Sequence, residues 1–173
     1  MHMADALMSP AVGTALWGSS AVAMAYSSKK VQSGLDDNKI PLMGVMGAFV
    51  FAAQMINFTI PMTGSSGHIG GGLLLSIILG PYAAFITMAS ILAIQALFFA
   101  DGGLLALGAN IINLGFFTCF IAYPYIFKPM MKSKFDEKNL FKASLTASII
   151  GLQMGAFAVV IETLISGKTE LPF

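Results

Sequence analysis

The chain carries only two imidazoles, His2 and His68, and one of them is the second residue. A chain that begins Met1-His2 offers a terminal amine, the His2 amide nitrogen and the His2 imidazole, spaced to close adjacent five- and six-membered chelate rings around one ion. His68 can supply a fourth nitrogen. Four nitrogens in a plane suit Ni(II) or Cu(II), whereas tetrahedral Zn is less well served. Processing enzymes trim an initiator methionine mainly before a small residue, so His2 is expected to leave Met1 and its amine in place. His68 closes the turn Thr63-Gly64-Ser65-Ser66-Gly67-His68, ahead of a glycine-rich short helix whose positive end lowers imidazole basicity. A neutral imidazole is the form that binds a metal.

The other polar candidates are Asp5, Gln54, Asn57 and Ser66. Asp5, three residues from His2, can orient its imidazole or balance cation charge, or serve as an ordinary turn carboxylate. Gln54 and Asn57, three apart, would share a helical face and could hydrogen-bond a ligand histidine; hydrogen bonding between helices is the plain alternative. Ser66 stands two residues before His68 and could support it. Asp101-Gly102-Gly103 reads as a turn, and Asn110, Asn113 and Glu162 as interhelical or rim groups.

These residues need a scaffold, and composition says which kind. Of 173 residues 57% are hydrophobic and 10% charged, with a mean hydropathy of +0.82, against about 25% charged in soluble domains. The expectation is an integral membrane protein. Apolar runs at 10 to 26, 40 to 60, 82 to 100, 103 to 127 and 141 to 165 are long enough to span. Ile69 to Leu79, between Gly70-Gly71-Gly72 and Gly80-Pro81, gives a shorter helix that must pack inside protein. The fold class expected is all-α: a polytopic bundle of about six transmembrane helices in one domain, 1-173.

Eight of nine lysines fall in two stretches, Lys29, Lys30 and Lys39, then Lys128, Lys132, Lys134, Lys138 and Lys142, which marks both as cytoplasmic. The N-terminus, His68, Asp101 and the tail from Ser166 then lie outside. A signal peptide carries its positive charges before the apolar stretch, and here they come after it. Ser9-Pro10 is a helix start, so Met1 to Met8, too apolar to float and too short to span, should fold back into the bundle.

A net charge of +1 without arginine leaves no surface for a phosphate backbone, which excludes nucleic acid. Cys119 is the lone cysteine, and the twelve methionines form no repeated thioether motif. There is no phosphate loop, Cys-x-x-Cys, nucleophile elbow or HExxH. Any energised transport needs a partner that burns ATP. A channel or proton-coupled carrier is the alternative, but Asp101 and Glu162 are too sparse to line a pore.

Several segments resemble a known family: Met1-His2-Met3-Ala4-Asp5-Ala6-Leu7 with Ser9-Pro10, Ile40-Pro41-Leu42-Met43-Gly44-Val45-Met46-Gly47-Ala48-Phe49, and Gly64-Ser65-Ser66-Gly67-His68 followed by Gly70-Gly71-Gly72. Ala100-Asp101-Gly102-Gly103-Leu104 and Asn113-Leu114-Gly115-Phe116 extend the likeness along the chain. The sequence resembles the substrate-binding membrane (S) component of cobalt/nickel energy-coupling factor transporters, the CbiM/NikM family. The resemblance implies a non-enzymatic subunit of the cell membrane that captures Ni2+ or Co2+ with the Met1 amine, the amide and imidazole of His2, and His68. It implies as partners a transmembrane coupling protein, two cytoplasmic ATPase subunits, and in some systems a small accessory membrane protein. Such proteins usually continue past the stretch matching Thr169 to Phe173 into a further membrane helix, so the expectation is that the sequence is truncated or that the missing span is supplied elsewhere.

Overall fold

The computed structural model describes residues 2–34, 39–60, 65–132 and 136–168. Six helices account for most of these residues: α1 (Pro10–Gln32), α2 (Lys39–Gln54), α3 (Gly72–Leu79), α4 (Pro81–Phe98), α5 (Leu107–Lys132) and α6 (Glu137–Ile165). Within α5, Ile111–Phe127 is wound as a π-helix and contains Pro124, which has no amide proton to give to any ladder. The helix α1 starts where Ser9-Pro10 directs, with the Ser9 hydroxyl accepting the Val12 N–H and Pro10 in the first turn.

Helices α4, α5 and α6 are each long and apolar enough to cross a membrane. Their outer faces stay apolar, as Phe98, Phe157 and Ile165 are exposed on the surface. The chain is an integral membrane protein. The core sits where α3, α4 and α5 meet around Leu75, Phe85, Met88, Leu92 and Leu114, all fully or almost fully buried.

Two details depart from the sequence reading. The second apolar run does not stay helical to residue 60, because α2 ends at Gln54 and Phe58–Ile60 pairs antiparallel with Ser65–Gly67. Asn57 is therefore off the helix and does not share a helical face with Gln54. The fourth run begins its helix at Leu107 rather than 103, since residues 99–106 are shaped to receive the N-terminal segment.

The short helix is present and packs inside the protein as expected, but it is shorter, Gly72–Leu79, and starts three residues after Ile69. At 1.5 Å per residue it is roughly 12 Å long, far short of a bilayer. The chain enters it through Gly71 at φ +78°, where a side chain would be strained and a Cβ would press on Val50.

Candidate metal centre

The N-terminal segment is fastened to the α4–α5 connection by polar bonds. Asn110, in the first turn of α5, accepts the Met3 N–H through Oδ1 at 2.8 Å and donates from Nδ2 to the Met3 carbonyl at 3.3 Å. The Gly103 N–H donates to the same carbonyl at 3.1 Å. Asp5 accepts the Ala106 N–H at 2.9 Å and so serves the start of α5. Behind these bonds Met3, Leu7 and Met8 pack with Ala106 and Ala109. The polar bonds and the apolar packing act together, and they leave His2 only 3% exposed.

The turn that receives this segment is under backbone constraint. The N–H groups of Phe99 and Asp101 both donate to the Gln95 carbonyl, at 3.1 and 3.2 Å, and so close the end of α4. Ala100 takes φ 53°, the one non-glycine with positive φ among the described residues. Gly102 follows at φ +88°, and a Cβ there would stand 3.3 Å from the His2 side chain. The backbone thus turns back and brings the Asp101 carboxylate to His2.

His68 arrives from the opposite side, directly after the hairpin. Its Nδ1 lies 2.8 Å from the Ile69 carbonyl. A carbonyl only accepts, so this bond assigns the ring proton to Nδ1 and leaves Nε2 with a lone pair. That lone pair faces His2 Nδ1 at 3.1 Å, with the two rings stacked at 4.6 Å between centroids. His2 Nδ1 is also 3.2 Å from Asp101 Oδ1. It stands between two acceptors, which a neutral His2 ring carrying its proton on Nδ1 can serve, as can a metal ion in place of that proton. Two nitrogens bound to one ion at about 2.0–2.1 Å lie roughly 2.9 Å apart at a right angle and roughly 3.4 Å apart at the tetrahedral angle. The observed spacing falls between these.

Both imidazoles are held neutral. Burial pushes His2 down to about 4 against the opposing pull of Asp101, and burial also lowers His68. Near pH 7 neither needs to lose a proton before binding an ion.

Of the expected partners, Gln54 lies one step further from the imidazole than anticipated. Gln95, fully buried on α4, is the amide set beside the His2 ring. Gln95 donates to Gln54 Oε1 at 3.0 Å, and Gln54 donates to the Gly70 carbonyl at 2.8 Å. The two amides thus link the neighbourhood of the His2 ring to the segment that carries His68. Asn57 reaches Asp101 rather than a histidine, donating to Oδ2 at 3.2 Å. Asp5 does not orient His2, because its carboxylate is engaged by the Ala106 amide. Met1 lies outside the described residues, as does the side chain of Ser66. Asn113 donates to Glu162 at 2.8 Å, an interhelical contact as read.

The sequence reading passed over Gln95 and took Asp101 only for a turn. Gln95 left a signal, a polar amide in the middle of an apolar span. Asp101 left little, since Asp-Gly-Gly between helices is ordinary turn composition.

Fold and site together define a membrane-embedded helical protein that gathers two imidazoles and a carboxylate at one end of its bundle. The family described as "Cobalt uptake substrate-specific transmembrane region" matches residues 2–173, and the chain belongs to that family, CbiM. It is 36% identical to a protein of Haloquadratum walsbyi provisionally named a metal transport protein, over 98% of this chain and 80% of that one. It is 32% identical to the cobalt transport protein CbiM of Sorangium cellulosum, over 71% of this chain and 56% of that one. The likeness to the fused nickel transport protein NikMN of Rhodobacter capsulatus is 34%, over 66% of this chain and 33% of that one. This chain thus spans about half or less of the length of the last two. Among solved structures, that of a truncated transition metal transporter superposes with a TM-score of 0.85 at 34% identity, over 94% of this chain and 74% of the other. The family consists of membrane components of metal transporters.

Proposed function

We propose that this chain is the ion-capturing subunit of an uptake system for Ni2+ or Co2+, with the Met1 amine, the His2 amide and imidazole, and His68 as the ligands. The observation that carries the reading is the pair of neutral imidazoles whose nitrogens face each other at 3.1 Å. Among the described residues no three His, Cys, Asp or Glu side chains are arranged to hold a metal by themselves. Donors of another kind are therefore called for, and the main-chain nitrogens of Met1 and His2 are the nearest in sequence. A planar set of four nitrogens favours nickel, while relatives are named for nickel and for cobalt.

Helices α1 and α5 start near the site and run toward lysines, Lys29 and Lys30 in one and Lys132 in the other. That direction supports capture on the outer face and delivery inward, with residues 1-173 acting as one unit. The chain itself is no enzyme in this reading. ATP is hydrolysed by two cytoplasmic subunits acting through a transmembrane coupling protein, with or without a small accessory membrane protein.

The test compares the purified protein bearing its native Met1 with a form carrying a short N-terminal extension, each loaded with Ni(II) or Co(II). One ion per native chain and none per extended chain, with a four-nitrogen ligand-field spectrum, is the expected result. Equal binding by both forms excludes the amine as a ligand.

A further inference from the structure

We propose that Gln95 is a positioning residue of the metal centre: its side-chain oxygen accepts from the Nε2–H of His2 and so selects the imidazole tautomer whose Nδ1 can bind an ion. The inference rests on the reading of the site given above and adds to it a residue outside the four-nitrogen set, one whose amide is aligned from the segment that carries His68.

The pair of amides can run in one direction only. Gly70 presents a carbonyl, which accepts and cannot donate, so the group of Gln54 that meets it at 2.8 Å is the NH2. Gln54 therefore turns its oxygen to Gln95, which answers with its own NH2 at 3.0 Å. What remains of the Gln95 amide is its oxygen. That Oε1 is buried and makes no hydrogen bond among the described residues, and the His2 ring stands beside it. The main chain keeps the two together, since the Gln95 carbonyl accepts the Asp101 N–H and the Asp101 carboxylate lies 3.2 Å from His2 Nδ1. Both glutamines are fully buried, and a buried amide in an apolar span is costly unless each of its groups is paired. A buried oxygen at the end of such a chain calls for a donor.

His2 offers that donor in one of its two neutral tautomers. The six-membered chelate ring that joins the His2 amide nitrogen to its imidazole closes through Nδ1, the nitrogen that faces His68 Nε2 at 3.1 Å. An ion at Nδ1 takes the place of a proton there, so a neutral ring then carries its proton on Nε2. One proton leaves Nδ1 for water and one reaches Nε2 from water, and the ring ends neutral as it began. An acceptor at Nε2 stabilises this tautomer over the other and holds the ring in plane for the ion. Because Gly70, two residues after His68, aligns that acceptor, the segment that delivers one histidine prepares the other.

The experiment labels the histidines of the full chain with nitrogen-15 and records their ring signals by NMR, free and saturated with Ni(II), which is diamagnetic in a planar four-nitrogen field. Ni(II) is also titrated into Gln95→Leu, Gln95→Glu and the double variant Gln54→Leu/Gln95→Leu. In the loaded wild type the His2 proton is expected on Nε2 and slow to exchange. Gln95→Leu should lose about 10- to 100-fold in affinity, the range for partners outside the coordination sphere, and its Nε2 proton should exchange faster. Gln95→Glu breaks the bond to Gln54 just as Gln95→Leu does but keeps an acceptor, so it should recover most of the affinity while remaining less stable than wild type. A purely structural role would make affinity follow stability instead. Wild-type affinity in Gln95→Leu overturns the proposal, as does Gln95→Glu binding no better than Gln95→Leu. Should Gln95→Glu fail to fold, the double variant decides: affinity equal to that of Gln95→Leu supports the proposal, because Gln54 then acts through Gln95, and a further loss overturns it. A His2 proton found on Nδ1 in the loaded wild type means that the chelate itself is wrong, an outcome distinct from failure at Gln95 with the Nε2 proton in place.

Discussion

The two histidines are placed by opposite means. His2 sits on a segment with almost no secondary structure of its own, and partners about a hundred residues away fix it: Asn110 on the Met3 backbone, the Gly103 N–H on the Met3 carbonyl, and Asp5 on Ala106. His68 is placed locally, by a hairpin of two three-residue strands before it and the carbonyl of Ile69 after it. His2 is buried and His68 half-buried. The difference teaches that the site is half long-range docking and half local turn, so the two halves should fail differently.

The largest expected contrast is between His2→Gln and His68→Gln, the first chosen because a large second residue keeps Met1. His2→Gln removes one donor directly and unsettles the chelate around it, so Ni(II) affinity should fall well beyond the about 100-fold typical of an outer partner. His68→Gln leaves the N-terminal nitrogens together and should weaken binding less. Equal losses in a metal titration would show that the halves are not separable.

Asn110→Ala breaks the docking without touching a ligand. It strips a buried hydrogen-bond partner from the Met3 N–H, at a cost of about 1–3 kcal/mol, and should lower the unfolding midpoint in detergent as well as metal affinity. No comparable variant exists for His68, whose Nδ1 partner is a main-chain carbonyl. If Asn110→Ala lowers affinity while the unfolding midpoint holds, the segment can detach without unfolding the bundle.

The smallest effect is on pH dependence. Burial holds the folded His2 at about 4, below its unfolded value of about 6.5. Between those values the unfolded chain binds a proton that the folded chain refuses, so stability is complete above about 6.5 and declines as pH falls toward 4. Metal-free protein should melt progressively earlier across that window. His2→Gln should flatten the trend more than His68→Gln, since His68 is the less buried of the two.

Much of the fold was legible because lipid imposes its own grammar. Apolar runs located the helices, Ser9-Pro10 fixed the start of α1, and the piece from Gly70 to Pro81 was too short for anything but a packed half-helix. The hairpin was hidden because its first strand, Phe58–Ile60, is apolar enough to pass for the end of a span. The histidines of the candidate site were legible because there are only two of them.

What the sequence determined, then, was the inventory: which residues could bind an ion, and that they ride on membrane helices. Tertiary structure alone decided their arrangement. Gln95 meets His2, Gln54 stands behind Gln95, Asp5 serves α5 instead of the imidazole, and Asp101 comes round through Ala100 to face the site. The physical reason is that helix and span signals are local, set by a few neighbouring residues and the solvent. A hydrogen bond between residues 3 and 110 depends on how every intervening helix packs.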